Sequence, residues 1–419
     1  MKMFLKPMQF VPVVVAITGA VLLSGCSYFE TGEKASPPGD LTAVAGDGLV
    51  TLSWTMESGV EYWLFWTPGT TVSVGSSFIK PGVGSPYTIG GLTNGVPYTF
   101  GINGRKNGGP GGSLASVTAT PRPTGYEWQI GGGAGTADLK GVAYGATTAT
   151  TGFDAVGNAG ALFQSADGIT WTPAAGNWAA LAGGNNVNAI INSGRFIAVG
   201  DAGLILFTTD NTTWTPGTYA VPPAPAPNLN ALASNGTRVV AVGDGGAIYY
   251  SDDSAVTWNA AATVPGGTGN LYGVAVSSAR WVAVGAAGTV ITSTDGSNWV
   301  AVTSVTPTIS TDLRGVAVLP ITGNFAAVGV GGEVASSTDG LVWTTQVITG
   351  TDLQAVAPAV GGTTILFAAV GRAGVAFTSF DGVTWTNRAT GTASDLFALV
   401  HSGFQFVAVG QAGTTIYSR

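Results

Sequence analysis

In this 419-residue chain a Val-Gly pair recurs at a regular interval, at Val156-Gly157, Val199-Gly200, Val242-Gly243, Val284-Gly285, Val328-Gly329, Val370-Gly371 and Val409-Gly410. The spacings are 43, 43, 42, 44, 42 and 39 residues. A fixed period of this length means one supersecondary unit used repeatedly, because no single unit can bury its apolar face alone. Three residues after each Gly comes another: Gly160, Gly203, Gly246, Gly288, Gly332, Gly374 and Gly413. A G-x-x-G turn between two apolar runs predicts a tight hairpin in which Gly supplies a positive φ.

Around that turn each repeat reads as four strands. The first resembles Leu313-Arg314-Gly315-Val316-Ala317, the second Phe406-Val407-Ala408-Val409-Gly410, and the third residues 289–293. A polar box then leads to a fourth strand and its Trp. Four strands in about 42 residues predict a β-propeller. The small residues of the first two strands suit positions crowded near an axis. The seventh repeat stops at Ser418-Arg419 without a fourth strand, and a matching segment, residues 126–130 with Trp128, lies just before the first repeat. The two ends are expected to share one blade, giving seven blades and no open sheet edge.

The boxes are residues 165–171, 293–299, 337–343 and 379–385, with variants at 208–214 and 251–258. They resemble the Asp-box (BNR) turn, S-x-D-x-G-x-T-W, mostly one residue shorter. In such a turn the Asp accepts backbone N–H groups and the Trp packs between blades. Each box offers a single carboxylate at the repeated position, so calcium is not expected. The repeat as a whole resembles the Asp-box propellers: sialidases, sortilin-type receptors and, closest in cadence, the photosystem II assembly/stability factor family. The last resemblance implies a protein-binding, non-enzymatic role.

Ahead of the repeats the chain changes character twice. Lys2 and Lys6 precede an apolar run, Phe10 to Leu23, too short for a comfortable membrane span and suited to a signal peptide. It ends in Leu23-Ser24-Gly25-Cys26, which resembles the bacterial lipobox and contains the only Cys of the chain. The resemblance implies lipidation of Cys26 after removal of residues 1–25, and Ser27 implies outer-membrane sorting. Several acyl chains would anchor stably, at about 0.8 kcal/mol per buried CH₂. Residues 26–37 read as a tether. Residues 38–121 alternate in short runs between Gly, Pro and Asn turns, as a sandwich does. The stretch Leu92-Thr93-Asn94-Gly95-Val96-Pro97-Tyr98 resembles the tyrosine corner of fibronectin type III domains, and Pro38 and Trp54 fit that family. The expected fold class is all-β: a small fibronectin type III-like β-sandwich over 38–121, then a seven-bladed propeller over 126–419 closed by an N-terminal strand.

Composition narrows function by exclusion. One Cys and one His (His401) leave no disulfide and no two-His metal site, and disfavour a His-dependent triad. A net charge of −7 without a Lys/Arg run argues against nucleic acid. No cofactor, metal or catalytic residue is expected. The residue before the first strand's leading apolar position is Asp or Asn in all seven repeats: Asp138, Asn186, Asn228, Asn270, Asp312, Asp352 and Asp395. It reads as an Asx cap or as a polar ring round the central mouth. Just after that apolar position stand Lys140, Asn188, Asn230, Tyr272, Arg314, Gln354 and Phe397, which differ from repeat to repeat. With the turn residues Asp201, Asp244 and Arg372 they form the candidate ligand site, acidic on one side and basic on the other. Arg195, Arg238 and Arg280 fall on the opposite face and read as a solvated rim, and His401 as a surface residue. The expected function is a lipid-anchored cell-envelope protein binding protein or carbohydrate at the mouth. The alternatives are a sialidase-like glycoside hydrolase, for which an Arg triad and a Tyr–Glu pair are missing, and a purely structural surface protein.

Overall fold

A computed structural model of the chain describes residues 32–75, 78–359 and 365–418. The signal-peptide reading and Cys26 lie outside the described residues. Among the described residues no helix is long and apolar enough to cross a membrane.

The first module is two facing sheets. One carries Lys34–Ala35, Tyr98–Lys106, Val60–Pro68 and Phe78–Lys80, with Ala115–Ala119 also on Tyr98–Lys106; the other is Thr42–Gly46, Leu49–Ser53 and Tyr87–Ile89. Alternation decides which side chains meet. Val50, Leu52 and Trp54 from one sheet pack on Tyr62, Leu64, Phe100 and Ile102 from the other. Tyr98 is buried, and its hydroxyl accepts the Thr93 N–H at 3.2 Å.

Residues 129–418 form seven further sheets among the described residues. Sheet 1 runs Leu139–Ala146, Thr151–Gly157, Leu162–Ser165 and Thr172–Pro173, from inner to outer strand. The next five follow the same order, with inner strands Val187–Asn192, Leu229–Ser234, Leu271–Val276, Leu313–Val318 and Leu353–Pro358. Sheets 3 and 5 gain a fifth, parallel outer strand, Thr218–Tyr219 and Ser304–Thr306. Sheet 7 takes Leu396–His401, Phe406–Gly410 and Thr415–Ser418 from the end of the chain and Gln129–Ile130 from its other side. Neighbouring inner strands touch in order, and the first touches the last, so the sheets close a ring. The second strands of sheets 2 to 7, such as Phe196–Gly200, are buried throughout. Apolar layers fill the seams: Val156 and Leu162 of sheet 1 pack with Phe196, Leu206 and Trp214 of sheet 2.

The polar boxes fold as local turns. In sheet 1 the Ser165 hydroxyl donates to Asp167 Oδ1 at 3.0 Å, and that oxygen also accepts the N–H groups of Ile169 and Thr170 at 2.8 and 2.9 Å. These bonds favour the charged carboxylate. The N–H groups of Thr213 and Thr212 hold Asp210 well below the usual carboxylate range. At Asp295 partial desolvation acts upward but is outweighed by the Asn298 and Ser297 bonds, and the net direction is down.

The box of sheet 7 is split across the chain. Ser418 supplies the hydroxyl, which accepts the Gly125 N–H at 2.9 Å, as Ser165 accepts that of Gly168 at 2.8 Å. Trp128 Nε1 donates to the Gly125 carbonyl at 3.0 Å, matching Trp258 to Ala255 and Trp385 to Gly382. Thr124 stands in the place of the box Asp. Residues 126–128 therefore belong to the turn, and only Gln129–Ile130 is strand.

Three expectations need correction. The first Gly of each G-x-x-G is extended, with φ of −171° at Gly157. It is required by close approach: a Cβ there would overlap the carbonyl oxygen of Asp138, and a Cβ on Gly200 that of Asn186. Positive φ falls instead on the third and fourth residues, as at Ala202 (52°) and Gly203 (72°). His401 is buried rather than on the surface, because its ring packs edge-on to Phe406 at 4.6 Å and its Nε2 pairs with Thr124 Oγ1 at 3.3 Å. Arg238 is not a solvated rim residue. It grips Asp252 at 2.6 Å, lies over the Tyr250 ring and donates to the Asp295 carbonyl in the next sheet.

Candidate binding site on the ring axis

Each inner strand has one irregularity in its pairing, always at the same place. The register shifts between Leu139 and Gly141, Val187 and Ala189, Leu229 and Ala231, Leu271 and Gly273, Leu313 and Gly315, Leu353 and Ala355, and Leu396 and Ala398. The skipped residues are Lys140, Asn188, Asn230, Tyr272, Arg314, Gln354 and Phe397. A bulge frees a side chain from the alternation of its strand and re-aims it. All seven bulged residues line one cavity on the ring axis, of about 210 Å³.

The Asx residues beside them hold the ring together. Each Asx carbonyl accepts the N–H of the first turn residue of its own sheet, as Asn186 does from Asp201 at 2.9 Å. Each side chain reaches back and accepts the N–H of the preceding sheet's turn. Asn186 takes Ala159, Asn228 takes Ala202, and Asn270 takes Gly245. Asp312 takes Ala287, Asp352 takes Gly331, and Asp395 takes Ala373. Asp138 then closes the circle on Ala412 at 3.0 Å. In every turn the donor of this bond is the residue at positive φ. The Asx position is thus neither a cap for its own strand nor a free polar ring. It is a clasp between neighbouring sheets.

The three turn residues of the candidate site sit at the rim and bond inward. Asp201 accepts the amides of Asn188 and Asn186, both at 2.9 Å, and Asp244 those of Asn230 and Asn228 at 2.9 and 3.0 Å. Asn188 and Asn230 also donate to the carbonyls of Leu229 and Leu271 in the next sheet. Arg372 pairs with Asp352 at 3.3 Å, and Arg314 with Asp312 at 3.0 Å. The expected basic side is therefore paired with clasp carboxylates, while Asp201 and Asp244 accept side-chain amides. Arg314 also lies over the Tyr272 ring at 4.5 Å, and Lys140 over that of Phe397 at 4.0 Å. Gln354 has no comparable tie among the described residues. Past the bulges the axis continues as an apolar channel lined by Ile191, Leu232, Val318 and Val400.

A second cleft, of about 460 Å³, separates the first module from ring sheets 1 and 7, between Val44 and Leu49 on one side and Tyr144, Phe153 and Phe404 on the other. It takes in none of the candidate site residues. The variable positions are visible in the sequence through their variation, whereas the bulges are not, because L-x-G spacing is the same in a bulged and a regular strand.

No protein-family model matches the chain, and no curated protein sequence does. Solved structures do match in fold. YCF48 from Cyanidioschyzon merolae superposes with a TM-score of 0.54 at 16% identity, over 70% of this chain and 99% of that one. A structure of YCF48 bound to D1 peptide gives 0.53 at 19% identity, over 70% and 94%. The WD40 propeller domain of Doa1 gives 0.51 at 10% identity, over 71% and 97%. The chain is an all-β propeller. At these identities the likeness establishes the fold, and the site has to be read from this chain's own residues.

Proposed function

We propose that this protein binds a protein partner at the axial mouth of a seven-bladed propeller and catalyses nothing there. One observation carries the reading: seven aligned bulges aim seven side chains into a single cavity, and those side chains are of six types, only Asn188 and Asn230 sharing one, while the clasp residues beside them are Asp or Asn throughout. A position kept for folding repeats with the fold. A position kept for recognition is free to differ around the ring. The structure of YCF48 with a bound peptide supports a peptide segment as the kind of ligand. Protein is favoured over carbohydrate because one face of each mouth aromatic, Tyr272 and Phe397, is already covered by Arg314 and Lys140, leaving less open ring for sugar stacking. A sialidase-type reading has no observation in its favour: Arg314 and Arg372 are each tied to a neighbouring aspartate.

In this reading the seven ring sheets are the blades, closed by Gln129–Ile130, and the first module is a fibronectin type III-like spacer over 38–121. Lipid on Cys26 tethers the protein to the cell envelope, at the outer membrane given Ser27. The test uses the full-length protein carrying Tyr272→Ser, Gln354→Ala and Phe397→Ser together. These side chains face a cavity and take no part in the clasps, so the unfolding midpoint should stay put. Capture of envelope partners should fall at least about tenfold, which is about 1.4 kcal/mol. Capture of the same proteins at the same yield would remove the mouth from consideration.

A further inference from the structure

The seam between ring sheets 1 and 2 contains a fully buried Asp–Asn pair, which no other seam has among the described residues. In the second strand of each sheet, the residue after the leading aromatic or Val is Ile197, Val240, Val282, Ala326, Ala368 or Val407 in sheets 2 to 7 and Asp154 in sheet 1. All are buried, and Asp154 is 0% exposed. Alternation puts Asp154 on the face of Val156, in the apolar layer with Phe196 and Trp214. Opposite it, the box residue at positive φ is Gly in five sheets and Ala255 in sheet 3, but Asn211 in sheet 2, at φ 65°. The two exceptions meet: Asn211 Nδ2 donates to Asp154 Oδ1 at 2.9 Å. The other two oxygens, Asp154 Oδ2 and Asn211 Oδ1, are buried and have no partner.

Two buried acceptors on a pair already joined through Asn211 Nδ2 are costly when left without a donor, and one proton shared between them would satisfy both. We propose that Asp154 is held as the neutral carboxylic acid, its Oδ2–H donating to Asn211 Oδ1 while Asn211 Nδ2 donates to Asp154 Oδ1. One bound proton then locks sheet 1 to sheet 2. Burial acts in the same direction, pushing the Asp154 carboxyl up to about 7 against the lowering effect of the Asn211 and Gln164 amides. The ionisable groups on the neighbouring elements are Lys140, Tyr144, Asp167, Arg195 and Asp210. The two cations are placed elsewhere, Lys140 over Phe397 and Arg195 over Phe207, and Asp167 and Asp210 are occupied by their own turns. Beside the pair, Gln164, Thr150 and Asn211 line a cleft of about 550 Å³ along the same seam.

The sign of the pH effect follows from an acid whose folded value is raised. Its stabilisation is complete below the unfolded value near 4, is lost as pH rises to about 7, and is constant above that. Asp154→Asn mimics the protonated acid, since an Asn–Asn pair makes both bonds at any pH. The experiment compares unfolding midpoints of the full-length protein and this variant from pH 5 to pH 8. The variant should gain on the native protein as pH rises, by on the order of 5 °C across that range. Asn211→Gly, which restores the box glycine, should lower the midpoint already at pH 5. A native-to-variant gap that stays constant with pH, or an Asn211→Gly midpoint equal to native at pH 5, would overturn the lock. Infrared spectra of the native protein with isotope-labelled aspartate give an independent reading. A protonated-carboxyl band is expected at pH 6 and should vanish above about pH 8; its absence at pH 6 overturns the proposal even where a variant does not fold.

Discussion

Trp128→Ala is expected to destabilise the ring by about 3–5 kcal/mol, as much as the same change in an uninterrupted sheet. Trp128 is buried between sheets 6 and 7, against Ala368, Val370, Phe406 and Ile416. It comes from the N-terminal side of the ring and serves a sheet whose other strands end the chain. Removing the indole leaves a cavity in the seam and cuts the bond to the Gly125 carbonyl, which sets the turn around Ser418. The pairing of Ile130 with Ile416 and of Gln129 with Tyr417 is then the remaining hold on the two ends. Denaturant unfolding of Trp128→Ala beside Trp343→Ala is the measurement. Similar losses are expected; a native-like midpoint for Trp128→Ala alone would mean that the split box does not close the ring.

Two opposite changes in one turn form the second prediction. Gly200→Ala is expected to cost at least about 3 kcal/mol, and Ala202→Gly to stabilise by roughly 1 kcal/mol. At Gly200 the backbone is extended, so φ gives no reason for glycine, yet a methyl would overlap the Asn186 carbonyl oxygen. That residue cannot move aside: its carbonyl accepts Asp201 N–H and its side chain clasps Ala159 in sheet 1. Two residues on, Ala202 is exposed and left-handed, so glycine there loses no packing and relieves a strained φ. Thermal unfolding of both variants checks the signs. If the two changes shift the midpoint the same way, the clasp geometry is wrong.

Much of this architecture was legible in the sequence because it repeats. The Val-Gly period located the seven sheets, and the missing fourth strand of the last repeat pointed to residues 126–130. What stayed hidden depends on partners in space. The Asx residues were visible as a repeated position, but their acceptor role toward the neighbouring sheet's turn is not encoded near them in the chain. The bulges leave no trace in L-x-G spacing. The first Gly of each turn invited an explanation by φ, whereas its cause is a carbonyl fourteen residues or more away, as Asn186 is from Gly200. Arg238 and His401 read as surface residues because flanking turns are usually exposed; in the fold each fills a seam. Asp154 shows in the sequence only as one acid in an apolar column, and its meaning appears once Asn211 is seen across the seam.

Site-specific photocrosslinking in intact cells asks whether the bulged ring is a recognition surface. A photoreactive residue is placed in turn at Gln354, Tyr272 and Phe397, and as a control at Val300 on the exposed outer strand of sheet 4. The mouth positions should yield a shared set of protein adducts that the control does not, and Tyr272→Ser combined with Phe397→Ser should abolish those formed from Gln354. Adducts equal at mouth and control positions, or none from the mouth while the control reacts, would contradict it.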